Sequence, residues 1–178
     1  MKSYQKLESQ FFKLNSLDHA TAILSWDEAV NMPSGSGKAR AQALAELKVL
    51  KHEKLVSQKL YDLLQEAESA SAGLNAWQKA NLREIKRIIL SARAIQNDLV
   101  EAASLANSEC EQTWRLLRPE NNWKEFLPFF NNVVALSKEE ASQRSQKTGL
   151  SPYDSLLDQY NPGITSIETS VCYLLMNY

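Results

Sequence analysis

Apolar residues recur at steps of three and four along almost all of this chain, and nowhere do they alternate convincingly with polar ones over six positions. That periodicity matches a helix with one buried face and argues against half-buried strands. Leu7, Phe11, Leu14 and Leu17 or Asp18 begin the pattern, and Ala20, Ile23, Leu24 and Ala29 or Val30 continue it. With only 5 Gly and 5 Pro in 178 residues, the turn chemistry of a sandwich or barrel is missing. Apolar residues make up 44%, enough to build a core. The expected fold class is all-α, a multi-helix array, with residues 1–178 forming a single helical region.

The breakers divide this array. Asn15-Ser16 leaves open whether the first segment is one helix or two, and Pro33 with Ser34-Gly35-Ser36-Gly37 ends it. A second helix is expected from about Lys38 to Leu55, with Ala39, Ala43, Leu47 and Leu50 as its stripe. A third runs from about Gln58 to Ser69 through Leu60, Leu63, Leu64 and Ala67. After the turn Ser71-Ala72-Gly73, Asn75 is expected to cap a fourth helix that buries Trp77, Leu82, Ile85 and Ile88 or Ile89. Asp98 and Glu101 have capping-box spacing for a fifth, from about Leu99 to Leu117. A sixth reaches about Lys147. It either begins near Leu127, with Pro128 in its first turn, or is kinked at Pro128. Gly149 stops it. Ser151-Pro152 opens a short helix to about Tyr160, Asn161-Pro162-Gly163 is a turn, and Thr165 with Glu168 caps a last helix of about three turns.

Charge and cysteine content narrow the function classes. Twenty Lys+Arg against 21 Asp+Glu leave no basic excess to drive phosphate binding, so a nucleic-acid partner is not expected. The start, from Met1 to Glu8, has no apolar signal region, and the longest apolar run, Val171 to Met176, is far too short to span a bilayer. The expectation is a cytoplasmic protein without membrane contact. Cys110 and Cys172 form no CxxC, and two reduced thiols are favoured over one disulfide.

Motifs for chemistry are nearly absent. The chain holds 2 His, His19 and His52. His52-Glu53-Lys54-Leu55-Val56 begins like HExxH, but Val56 stands where the second His must be and cannot bind a metal, so His52 reads as a helix-surface or interface residue. Gly37-Lys38 resembles the end of a P-loop. However, Met32 replaces its first Gly and Ala39 its Mg²⁺-binding hydroxyl, so a loop between helices is the better reading. Gly-x-Ser-x-Gly does not occur, and Gly35-Ser36-Gly37 is too short for it. Glu139-Glu140 reads as a solvated helix face. Trp26 beside Asp27-Glu28, together with Trp114 and Trp123, reads as large core or interface residues.

Taken in order, several phrases resemble a known family. They are His19-Ala20, Ile23-Leu24-Ser25-Trp26-Asp27, Val30, Met32-Pro33, Gly35-Ser36-Gly37, Ala39-Arg40, Ala45-Glu46-Leu47 and His52-Glu53-Lys54-Leu55. Trp114, Phe126-Leu127-Pro128, Val133-Val134, Tyr153 to Tyr160 and Pro162-Gly163 follow. The combination is similar to the N-terminal part of the carboxypeptidase Taq family of thermostable zinc metallocarboxypeptidases, roughly its first third, with divergence after about residue 168. The resemblance implies a mostly helical, usually dimeric parent enzyme that removes C-terminal residues from peptides with zinc or another divalent metal. The family's HExxH ligands, its downstream Glu and its general base have no matching positions here. No catalytic, cofactor-binding or metal residue therefore carries over, and the chain alone is expected to be inactive. The poor fit of Thr169 to Tyr178 suggests an interrupted gene or partial gene model. The alternative is a freestanding helical interaction module, and a complete small enzyme using carboxylates or Cys110 is the weakest reading.

Overall fold

A computed structural model describes residues 2–33 and 35–169. Among these the chain forms seven α-helices and one 3₁₀ turn: α1 Lys2–Val30, α2 Gly37–Val56, α3 Gln58–Ser69, the 3₁₀ turn Ser71–Gly73, α4 Ala76–Ala92, α5 Asn97–Leu117, α6 Trp123–Thr148 and α7 Pro152–Leu157. No strand occurs among the described residues. The helix begun by Thr165, Cys172 and the apolar run Val171 to Met176 lie partly or wholly outside them.

Local chemistry explains most of the boundaries. α1 is one helix through Asn15-Ser16. Ser16 Oγ donates to Phe12 O (3.1 Å) and Thr21 Oγ1 to Leu17 O (2.9 Å), so both hydroxyls are absorbed by the helix's own carbonyls. Ser57 caps α3. At α4, Asn75 accepts from the Gln78 amide while Gln78 Oε1 accepts from the Asn75 amide, a reciprocal capping box. Ser151 with Pro152 opens α7, which ends at Leu157, short of the expected Tyr160. Gly149 ends α6 at φ +75°, a left-handed turn that glycine adopts without steric cost. Thr165 and Glu168 also pair as expected, with the Thr165 amide donating to Glu168 Oε2 (2.8 Å).

One boundary differs from the sequence reading, and a second is one that it leaves open. Asp98 does not cap α5. The helix starts at Asn97, and its cap residue Gln96 donates its amide to Gln143 Oε1 of α6 (3.1 Å), so a distant side chain replaces the local cap. α6 starts at Trp123, where Asn122 accepts from the Glu125 amide (3.3 Å), and it runs through Pro128.

The core sits at one end of the array. Tyr4, Leu7 and Leu14 of α1, Leu55 of α2, Leu60, Leu64 and Ala67 of α3, Leu74, and Leu82, Ile85, Ile89 and Ala92 of α4 form one buried apolar cluster. Leu7, Leu64 and Ile89 are its largest fully buried side chains. Elsewhere α2 packs most extensively on α5, and α5 on α6.

Several burial expectations are corrected. In α2 the buried side chains are Leu44, Ala45, His52 and Leu55, while Ala39, Ala43 and Leu50 are exposed. In α1 the inward face holds Leu7 and Leu14, but Ile23 and Val30 point outward. Trp77, expected inside α4, is 86% exposed. These helices carry apolar residues on more than one face, and only neighbouring helices decide which face is covered.

Candidate functional site

The buried polar side chains join helices. His52 uses both ring nitrogens: Nε2 faces Ala92 O (2.9 Å) and Nδ1 faces the Asn97 side chain, tying α2 to the α4–α5 junction. It is thus an interface histidine with no ring nitrogen left for a metal. His19 is exposed on α1. Among the described residues no three His, Cys, Asp or Glu side chains cluster to hold a metal ion.

The end of α1 carries a second junction. Glu28, almost fully buried, accepts from Ser108 Oγ (2.6 Å) and Gln112 Nε2 (3.4 Å) of α5. Arg115 donates to the carbonyls of Glu28 (3.3 Å) and Ala29 (2.9 Å) and pairs with Glu111. Its guanidinium satisfies free carbonyls at the negative end of α1, where a cation is favoured. Asp27 pairs with Arg40 Nη2 (2.6 Å), and Arg40 Nη1 reaches Leu24 O (2.8 Å). This pair staples the loop between α1 and α2, the segment that had looked like a P-loop end. Two helices flank it, with no strand before it.

A third junction is Arg144 of α6, which bonds Ser91 O (3.0 Å), Ser91 Oγ (2.7 Å) and Glu140 (2.8 Å). Glu140 is therefore half-buried in an ion pair, unlike its exposed neighbour Glu139. Their adjacency had suggested one solvated face for both. Glu28 and Asn97 carry no local signal, because their partners Ser108 and His52 lie more than forty residues away, and the bonds from Arg144 to Ser91 are equally distant although its pairing with Glu140 is local.

Burial pushes the Cys110 thiol up, and the nearby Glu109 carboxylate adds to the shift, which disfavours the reactive thiolate. An open cleft of about 990 Å³ lies between α1 and the α2–α3 elbow, floored by Leu14, Leu50, Leu60 and Leu63. Its rim mixes Lys6, Lys13, Lys54 and Lys59 with Glu53, Asp62 and Glu66, so it selects neither charge.

The surface is the more distinctive feature. None of the four tryptophans is in the core: Trp26 is 57% exposed, Trp77 86%, Trp114 47% and Trp123 57%. Among the described residues, Trp123 makes tilted ring contacts with its own helix neighbours Phe126 and Phe130, at 5.6 and 6.0 Å between centroids. Of the two readings, core or interface, the core one is corrected for Trp26, Trp114 and Trp123. These side chains lie on the outside of the helical array.

The family of the chain follows from its match. Residues 6–176 match the model of the carboxypeptidase Taq (M32) metallopeptidases. The chain belongs to that family. Thermostable carboxypeptidase 1 of Pyrococcus furiosus is 27% identical over 163 residues, covering 92% of this chain and 32% of the relative. Thermostable carboxypeptidase 1 of Thermus thermophilus is 31% identical over 156 residues, covering 83% and 31%. The solved structure of Trypanosoma cruzi metallocarboxypeptidase 1 superposes with a TM-score of 0.76 at 34% identity, over 93% of this chain and 33% of that one. The chain thus spans about a third of the length of the curated relatives it matches. This M32 chain has no helix among its described residues long and apolar enough to cross a membrane.

Proposed function

We propose that this M32 chain is the N-terminal helical portion of a metallocarboxypeptidase that removes C-terminal residues from peptides, and that it supplies scaffold rather than reacting groups. One observation carries the reading. The family match is continuous over residues 6–176, yet the histidines within it are either spent on helix packing or isolated on the surface. Zinc or another divalent ion would be held by the part of the parent enzyme that this chain does not match. What this portion does follows from its own contacts. Glu28, Arg115, Arg40 and Asp27 lock the end of α1, and His52 and Arg144 lock α2 and α6 to the α4–α5 junction. The result is a fixed helical wall. Cytoplasmic location, a homodimeric parent and peptide substrates belong to the same proposal.

The test is an assay of the purified chain with a blocked dipeptide and added Zn²⁺. No amino acid release and no stoichiometric metal binding are expected. One equivalent of tightly bound metal, with hydrolysis abolished by chelator, would overturn the reading and make the chain an enzyme by itself. A chimera that joins this chain to the unmatched two-thirds of the Thermus relative is expected to hydrolyse the same substrate, and to stop when chelator is added.

A further inference from the structure

The outer face of α1 carries a stripe that no other described element covers. Phe12, Ser16, His19, Ile23, Trp26 and Val30 follow one another at steps of four, three, four, three and four. At 100° per residue all six fall on one side of the helix, opposite the inward Leu7, Leu14 and Glu28. All six are exposed, Phe12 by 74%, Ile23 by 54%, Trp26 by 57% and Val30 by 63%. A four–three repeat is the spacing with which one helix seats its side chains into the grooves of a second helix lying nearly parallel to it. From Phe12 to Val30 the stripe is about 27 Å long at 1.5 Å per residue, room for about five helical turns of a neighbour.

We propose that this stripe is the seam on which a helix from the other two-thirds of the M32 fold packs. The inference rests on the reading of the chain as one portion of that fold. Two observations select this occupant. The chain spans about a third of its relatives' length, so most of the fold that surrounds this portion lies outside it. Four of the six stripe positions, His19, Ile23, Trp26 and Val30, are also among those that carry the resemblance to the full-length family. Of the twelve residues of this chain's buried apolar cluster, only Leu55 stands in those phrases.

The experiment co-expresses the tagged 178-residue chain with the Thermus carboxypeptidase polypeptide from which the matched segment has been removed. Affinity capture followed by light scattering reads the stoichiometry. A one-to-one complex is expected. Its yield should fall at least tenfold with Ile23→Glu plus Trp26→Glu, while Trp77→Glu on α4 should leave it unchanged. Circular dichroism of the isolated variants should match that of the parent chain, since all three sites are exposed. A complex indifferent to the stripe variants would overturn the seam and leave the portion-of-a-fold reading intact. Absence of any complex would also overturn it, and so would a homodimer of this chain that the same two substitutions dissolve. The covalent chimera judges the wider reading separately, because its chelator-sensitive activity is measured with the stripe unaltered.

Discussion

The two ends of this helical array are held by different physics. Around α3 and α4, twelve buried residues form a continuous apolar cluster with no charged member. Around α5 and α6 little apolar burial occurs: α6 buries only Ala141 and Arg144 in 26 residues, and α5 buries Ser104 and Ser108 beside Leu99 and Ala106. Ser104 Oγ has no hydrogen-bond partner among the described residues. The first region is stabilised by removing apolar surface from water, which is strong and indifferent to direction. The second depends on a few directed bonds from Glu28, Arg115 and Arg144, while its aromatic residues Trp114, Trp123 and Phe130 stay outside.

The sharpest way to break the comparison is to empty the apolar cluster. Leu64→Ala, at a side chain fully removed from solvent, should cost about 3 kcal/mol in urea unfolding. Leu136→Ala on half-buried α6 should cost about 1 kcal/mol. Equal losses would dissolve the distinction. The polar region should respond to Arg144→Met, which strands Ser91 and Glu140. A loss of about 2 kcal/mol is expected, and protection from amide exchange should drop in α6 while α3 stays protected. Asn75→Ala removes the α4 cap and should cost about 1 kcal/mol, visible as a lower thermal midpoint.

A smaller, pH-dependent effect is expected at α7. Asp154 accepts from the Ser166 amide (2.7 Å) and Ser151 Oγ (2.7 Å), and these bonds hold its carboxyl below the usual carboxylate range. Its folded pKa is depressed, so its contribution is complete above the ordinary value of about 3.9 and fades as pH falls through the lower one. Amide exchange at Ser166 should therefore quicken in acid, and Asp154→Asn should remove most of that dependence. The smallest effect belongs to Trp77→Ala, within about 0.5 kcal/mol, because its side chain touches little. A loss above 1 kcal/mol would show that Trp77 packs on something the exposed position does not reveal.

The capping residues were the most legible part of the sequence. Asn75, Ser151 and Gly149 act within a few residues of themselves, and so the sequence shows them directly. The α3 limits, Gln58 and Ser69, were legible for the same reason. Asp98 misled because its rival, Gln143, lies 45 residues away and contributes its carbonyl oxygen only after α6 has docked.

The sequence by itself determined the helical class, most helix ends and the family, since periodicity, caps and ordered phrases are written along the chain. Only tertiary structure decided which apolar face of each helix turned inward. α1 offers Leu7 and Leu14 on one side and Phe12, Ile23, Trp26 and Val30 on the other, and both sides satisfy the same helical period. Burial is a property of pairs of helices. Among the described residues α3 packs on the first side, and the second side is exposed.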